Sequence, residues 1–356
     1  MTYVEPMIAA GNRQPLIWAL LGQRTGDNAQ ALAVGRAVAE AAGGQAIAKP
    51  LEYNALYRAP NLVLGASLRS LAEGRRSAIA PPWPDLVVGV GRRSVPVARW
   101  IRAQSGGNAK LVQIGRPRAP LDWFDLVVTT PQYRLPDGPN VLQLLLPPLS
   151  PPALDPAKLE RWRKAFAPLP RPWIGVLVGG ARPPYRFKVQ DAVRLAQQAD
   201  ALASRLGGAL LVTTSPRTGP AQARALADAV ARPAHCNLWS PDADNAHLAI
   251  LALADRFIVT GESVSMLAEA CVSGKPVTIH QLPRRPYPGW SGKGGLGRRL
   301  ARSGLVAPPR DPQAVVRRLV DGRHAALLGA PEPAQYVPVP DERARIVAAV
   351  TALLND

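Results

Sequence analysis

Residues 257–282 read FIVTGESVSMLAEACVSGKPVTIHQL, and within that span lies one complete strand-helix-strand unit. Phe257-Ile258-Val259-Thr260 is β-branched and apolar, the composition of a strand buried on both faces. Gly261 breaks it. Ser263 then offers an N-cap hydroxyl, and Met266, Leu267, Ala270 and Cys271 recur at helical spacing. Gly274 and Pro276 end the helix, and Val277-Thr278-Ile279 resumes the extended pattern. The turn presents what an anion or nucleotide needs: free N–H groups at the positive end of a helix, and small hydroxyls at Ser263 and Ser265. Glu269 lies one turn beyond Ser265 on the same face, where its carboxylate can accept from a diol. A capped short helix with an exposed Glu is equally what any α/β protein carries.

Toward the N-terminus the same alternation recurs. Leu16 to Leu21 reads as a strand, Gly22 to Asn28 as its turn, and Ala29 to Ala42 as a helix closed by Gly43-Gly44. The turn spacing, G-x-x-x-G-D-N, is not the G-x-G-x-x-G of a dinucleotide site. Asp27 has a structural reading, as a helix N-cap. Strands follow near 46–51 and at 85–90, 110–114, 124–129 and 141–146, with a helix from Val95 to about Gln104 after its cap Ser94. Short apolar strands with helix-sized spacers predict a parallel sheet. The segment from Tyr57 to Pro84 is irregular, with Arg69, Arg75 and Arg76 on a partly amphipathic helix.

The stretch PPLSPPALDPAKLERWRKAFAPLPRP, residues 147–172, holds eight prolines, which bars it from a central strand and marks a linker with a helix at 156–166. A second α/β unit follows. Trp173 to Val178 is a strand, Gly179-Gly180 its turn, residues 188–206 a helix and Ala209 to Thr213 a strand ending in Thr214-Ser215-Pro216-Arg217-Thr218. Thr218 reads as the cap of the helix at Gly219-Pro220, so hydroxyls and an Arg crowd a helix N-terminus suited to a diphosphate. A plain cap beside an exposed Arg explains the same residues. Residues 235–244 are polar and turn-rich, and 245–254 form a short helix. The segment 283–299 has the composition of a ligand-ordered or simply solvated basic loop. Helices close the chain at 312–328 and 342–354. The boundaries expected are therefore 1–150, a linker 151–172, 173–340 and a closing helix 341–356.

The residues VTGESVSMLAEACVSGKPV (259–277), GQRTGDNAQALAVGRAV (22–38), VLVGGARPPYRFKVQDA (176–192) and LLVTTSPRT (210–218) resemble, in that family's order, the mitochondrial-fission "elongated mitochondria" family. That family resembles the GT-B glycosyltransferases, in which two Rossmann-like domains face each other across a cleft. The resemblance implies that the second domain holds a nucleotide-diphosphate sugar. It puts Ser263, Ser265 and Glu269 in the donor site, with Glu269 on the ribose. Gly179 and Gly180 would approach the donor, Arg186 a phosphate, and Thr214, Ser215, Arg217 and Thr218 the diphosphate. Trp239 could stack on the base. Gly22, Gly26, Asp27 and Asn28 match the family's motif in a turn facing the cleft, and Asp27 becomes the candidate general base on an acceptor hydroxyl. The design needs no cofactor and no metal.

Among 356 residues, 43 Lys and Arg against 25 Asp and Glu give a formal charge of +18, which asks for an anionic partner. Most of these residues are Arg, scattered in twos (Arg75-Arg76, Arg92-Arg93, Arg284-Arg285, Arg298-Arg299, Arg317-Arg318) without aromatic interleaving, which argues against sequence-specific nucleic-acid binding. Spread positive charge suffices for peripheral association with an anionic membrane surface. No apolar run spans a bilayer and no basic n-region marks a signal peptide, so a cytoplasmic location is expected. Cys236 and Cys271 show no metal-ligand spacing. The absence of a Walker loop, a G-x-S-x-G elbow and a D-x-D pair at a strand end removes the corresponding enzyme classes; Asp242 and Asp244 read D-A-D outside that context. Two functions stay open: a GT-B transferase, possible in envelope or glycolipid synthesis, and a non-catalytic scaffold recruited to a membrane or a partner. A nucleotide-sugar epimerase is disfavoured, for want of the dinucleotide fingerprint and a Tyr-x-x-x-Lys pair.

Overall fold

The computed structural model describes residues 14–148, 154–241, 244–285 and 295–355. The first half runs β1 (Leu16–Leu21), α1 (Thr25–Ala41), β2 (Gln45–Pro50), two single-turn helices α2 (Asn61–Leu64) and α3 (Glu73–Arg76), β3 (Leu86–Val90), α4 (Val95–Gln104), β4 (Lys110–Ile114), β5 (Leu126–Thr129) and β6 (Val141–Gln143). After α5 (Pro156–Phe166), the second half runs β7 (Trp173–Val178), α6 (Val189–Leu206), β8 (Ala209–Thr214), α7 (Pro220–Ala229), β9 (Ala234–Asn237), α8 (His247–Leu253), β10 (Arg256–Thr260), α9 (Val264–Val272) and β11 (Val277–His280). It is completed by α10 (Gly295–Arg302), α11 (Pro312–Asp321), β12 (Ala326–Leu327) and the closing helix α12 (Glu342–Asn355).

The strands form two six-stranded sheets, ordered β2-β1-β3-β4-β5-β6 and β12-β11-β10-β7-β8-β9, parallel throughout. Parallel strands need helical crossovers, which cover both faces and leave the strands dry. Accordingly every residue of β7 and β8 is buried. The order in each sheet reverses once, between β1 and β3 and between β7 and β10. Open α/β sheets place ligands in the crevice at such a reversal, beyond the carboxyl ends of the strands.

Several local readings needed correction. The amphipathic helix read around Arg69, Arg75 and Arg76 is only the single turn α3, where Arg75 pairs with Glu52. The polar segment 235–244 contributes an edge strand, β9. Phe166 of α5 is fully buried and packs edge-on to Trp173 with centroids 5.8 Å apart, so this helix belongs to the core under the second sheet.

Several ties hold the halves across the crevice. On α12, Ile346 and Val350 are fully buried with Ile17, Val34, Val38 and Val88 of the first half. Arg134 Nη2 donates to Asp311 Oδ2 at 2.7 Å, and Arg116 donates to the carbonyl of Pro308. Gly304, at φ +72, lies so close to the backbone of Ala119 that a Cβ would come within 2.4 Å of it.

Candidate active site

The second-half wall is built from three turns at the ends of β7, β8 and β10. The N–H of Gly179 donates to Thr260 Oγ1 and the N–H of Gly180 to Glu262 Oε1, each at 2.8 Å. Thr218 Oγ1 lies 3.1 Å from the carbonyls of both Val178 and Gly179 and accepts from the N–H of Ser215 at 3.0 Å. Ser215 Oγ donates to the Gly179 carbonyl, and Thr214 Oγ1 accepts from the N–H of Trp239 at 2.8 Å. A Cβ on Gly179 would sit 2.0 Å from Glu262 Oε1, and one on Gly180, at φ +117, would sit 2.3 Å from the carbonyl oxygen of Arg217. The two glycines are therefore demanded by the chain's own packing, and their N–H groups are already bonded.

This corrects the role read for the hydroxyl cluster. Thr214, Ser215 and Thr218 spend their side chains fastening one turn to the next, and Thr218 is not a cap: the helix cap is Gly219. Of that stretch, Arg217 reaches the crevice, where its Nη2 donates to Ser263 Oγ at 3.2 Å. Ser263 makes no cap bond to α9. Its hydroxyl instead accepts from a guanidinium 46 positions earlier, leaving the first N–H groups of the helix without a capping side chain.

Among the described residues, two adjoining cavities lie in the crevice. The smaller, about 160 Å³, is bounded by Arg182, Arg217, Arg310, Ser263, Val264 and Ser265 on one side and by Asp27, Gly115, Thr130 and Tyr133 on the other. The larger, about 340 Å³, lies on the first-half side and includes Gly22, Asn28, Tyr53, Tyr57 and the arginines of the turns after β3 and β4. Arg24, Asp27, Tyr133, Arg182 and Arg310 border both. Asp27 stands where the cavities meet. It lies in the first turn of α1, whose cap position is Arg24, so it is not the N-cap that its position after Gly26 suggested. Among the described residues its carboxylate has no hydrogen-bond or ion-pair partner.

The electrostatics around it are cationic. Burial lowers the Arg182 pKa, and repulsion from Arg310, Arg217 and Arg24 lowers it further. Arg116 is brought down to about 10, again chiefly by burial and then by Arg118 and Arg310. Guanidiniums crowded without carboxylates are a site arranged for an anion. Behind them Glu262 is fully buried, and burial raises its carboxyl to about 7 against the opposing pull of its backbone hydrogen bonds and Arg217.

Asn28 and Gly22 hold each other: the Asn28 amide donates to the Gly22 carbonyl and accepts from its N–H, both at 2.8 Å, which fixes the β1–α1 turn. Gly26 borders neither cavity, and neither does Arg186, whose place on the crevice is taken by Arg182. Ser265 is exposed at the smaller cavity. Glu269 borders neither; its Oε2 lies 2.7 Å from His247 Nε2 of α8. Trp239 is an exposed side chain. Asp242 and most of the loop 283–299 lie outside the described residues; Asp244 is ion-paired with Arg161. The residues that sequence reasoning passed over are Arg24, Arg182, Arg310, Glu262 and the arginines at 92, 93, 116 and 118. A signal existed for the last four, since they lie within three residues after Gly91 and Gly115 at the ends of β3 and β4, where ligands bind.

The family model described as mitochondrial fission ELM1 matches residues 25–343. The chain belongs to the mitochondrial fission ELM1 family. The mitochondrial fission protein ELM1 of Arabidopsis thaliana is 28% identical over 242 residues, covering 61% of this chain and 56% of that protein; the chain thus matches little more than half the length of this relative. An uncharacterized protein of Rickettsia prowazekii is 24% identical over 307 residues, 75% of this chain and 83% of the other. Among solved structures, a Listeria monocytogenes protein provisionally assigned as a UDP-N-acetylglucosamine 2-epimerase superposes with a TM-score of 0.51 at 11% identity, over 96% of this chain and 97% of that one. A glycosyltransferase from Rickettsia africae gives 0.45 at 12% identity over 86% and 97%. Two parallel Rossmann-like sheets facing across a crevice give this ELM1-family chain the GT-B architecture. Among the described residues no helix is long and apolar enough to cross a membrane.

Proposed function

We propose that this ELM1-family chain is a glycosyltransferase that moves a sugar from a nucleotide diphosphate to an acceptor hydroxyl, without a metal. One observation carries the reading: a carboxylate without a partner among the described residues, Asp27, faces Arg182, Arg217, Arg310 and the open N-terminus of α9 across one continuous cavity. Asp27 takes the proton of the acceptor hydroxyl. The oxygen forms its bond to the anomeric carbon while the bond from that carbon to the diphosphate breaks, and the electron pair leaves on the phosphate oxygen. The charge arriving there meets fixed guanidiniums and the positive end of the helix, which need no rearrangement at the moment of reaction. Glu269, which the resemblance puts on the ribose, borders neither cavity and is held by His247, so this scheme does not use it. A protein provisionally assigned as a UDP-N-acetylglucosamine 2-epimerase shares the fold, so the fold alone does not separate transfer from epimerisation; sugar transfer is distinguished by its need for an acceptor.

The test is thermal stabilisation of the purified protein by a panel of UDP-, GDP-, ADP- and CMP-linked sugars, since a ligand of the native state raises Tm by linkage. One nucleotide should shift Tm, and Arg217→Ala should abolish that shift. A flat panel with wild type would refute the donor site and return the chain to the scaffold reading, in which its cationic surface recruits a membrane or a partner protein.

A further inference from the structure

The larger cavity is far more cationic than donor binding requires. Arg92 and Arg93 reach it from the turn after β3, Arg116 and Arg118 from the turn after β4, and Arg24, Arg182 and Arg310 from the rim it shares with the smaller cavity. Asp27 is the one carboxylate that borders it among the described residues. Among the described residues none of these seven arginines is ion-paired.

The cluster is built, not incidental. Asn61 on α2 is only 3% exposed, and its Nδ2 donates to the carbonyls of Arg92 and Pro117, each at 2.9 Å, clamping the two arginine turns together. Arg92 and Arg116 serve the frame. The first donates to the carbonyls of Tyr57, Arg58 and Ala59, and the second to that of Pro308. Arg93 and Arg118 are different. Arg93 lies over the Tyr57 ring, 4.1 Å from its centroid, with one Nη on Gln23 at 3.2 Å. Arg118 is held at φ +51, a backbone conformation that surroundings must impose on a non-glycine residue. Its guanidinium has no hydrogen-bond partner among the described residues.

Arg93 and Arg118 border the larger cavity and not the smaller, Arg217 and Ser263, the groups that would take the donor diphosphate, border the smaller and not the larger, and Asp27 borders both. The guanidiniums of Arg93 and Arg118 are forks suited to bidentate phosphate recognition. We propose that the acceptor is itself a phosphate-bearing molecule, whose phosphate is held by Arg93 and Arg118 while its hydroxyl is presented to Asp27. This rests on the transferase reading above. The same α2 that clamps the turns exposes Leu62 (46%) and Val63 (72%), so the phosphate belongs either to a lipid headgroup, with α2 against the lipid, or to a soluble phosphorylated acceptor.

Titration calorimetry with inorganic pyrophosphate tests it on the full chain. Wild type should bind at two classes of site. Arg93→Ala/Arg118→Ala should remove one class, a loss of at least about tenfold in its affinity, and leave the other. Arg93→Lys/Arg118→Lys, which keeps the charge and loses the fork, should weaken that class less than the alanine pair does, and an unchanged Tm in both double variants separates lost recognition from a lost fold. Unchanged binding by the double alanine variant would overturn the proposal. If Arg217→Ala leaves both classes intact while the double variant loses one, the donor reading fails and the phosphate site stands. Co-sedimentation with phosphatidylcholine vesicles doped with phosphatidic acid separates the sources. Loss of sedimentation in both Arg93→Ala/Arg118→Ala and Leu62→Ser/Val63→Ser identifies a lipid phosphate. No sedimentation of wild type, with pyrophosphate bound through the arginine pair, identifies a soluble one.

Discussion

Replacing Glu262 with Gln should stabilise the protein at alkaline pH and do little at acid pH. The Glu262 side chain is fully buried; its Oε1 accepts from the Gly180 N–H at 2.8 Å and from Thr260 Oγ1 at 3.3 Å, and its Oε2 has no hydrogen-bond partner among the described residues. Burial raises this carboxyl from 4.5 to about 7. The native state therefore keeps its proton over a range in which the unfolded chain has released it. Stability from this group is present in full below 4.5 and is lost as pH rises through about 7. At about 1.4 kcal/mol per pKa unit, the ionised carboxylate costs roughly 3 kcal/mol on the alkaline side. The substituted amide would keep an oxygen for the Gly180 N–H and carry no charge. Urea unfolding of both proteins from about pH 5 to about pH 8.5 cancels every other titrating group. The variant's advantage should grow by about 2.5 kcal/mol across that range. A difference flat with pH would refute the buried, proton-holding carboxyl. The same geometry links Glu262 to ligand binding, because Arg217 is a cation that favours its ionised form. An anion bound to Arg217 should weaken that help and draw a proton onto Glu262, seen as a dependence of the binding heat on the ionisation enthalpy of the buffer.

Further outcomes follow from other groups. Under the transferase reading, Asp27→Asn should lower kcat by about 10²- to 10⁴-fold with Tm unchanged, since the carboxylate has no bonding partner among the described residues; a large fall in Tm would show a structural role instead. Gly304→Ala should destabilise by roughly 2 kcal/mol or more, because the residue sits at φ +72 with the Ala119 backbone 2.4 Å from the new Cβ, and the loss should appear as faster proteolysis between the halves. Burial holds His280 down at about 4 from 6.5, so the unfolded chain takes up its proton first as pH falls. Stability should decline by up to roughly 3 kcal/mol between those two values, and His280→Gln should flatten this acid limb in urea unfolding.

The stretch that organises the second sheet was legible because its causes are local. An apolar β-branched run, a glycine, a short amphipathic helix, then Gly274 and Pro276 set β10, α9 and β11 through contacts within a few residues. Repetition of that pattern on both sides of a proline-rich segment was enough to read two parallel sheets. The resemblance carried the pairing of the sheets across a crevice, and Asp27 with it. What the sequence left undecided was the fate of each polar side chain. Ser263 and Thr218 have the residue type of caps, yet Arg217 claims the first hydroxyl and the β7 turn claims the second. Gly179 and Gly180 read as room for a ligand, and they are room for Glu262 and Arg217. Arginines far apart in the chain converge because strand order and the return of α12 bring the ends of β1, β3, β4, β7 and β8 to one crevice. Helix and strand periodicity depends on neighbours a few residues apart, whereas a shared charge environment depends on residues far apart in the chain, so only the tertiary structure decided which cations meet and which carboxylate stands among them.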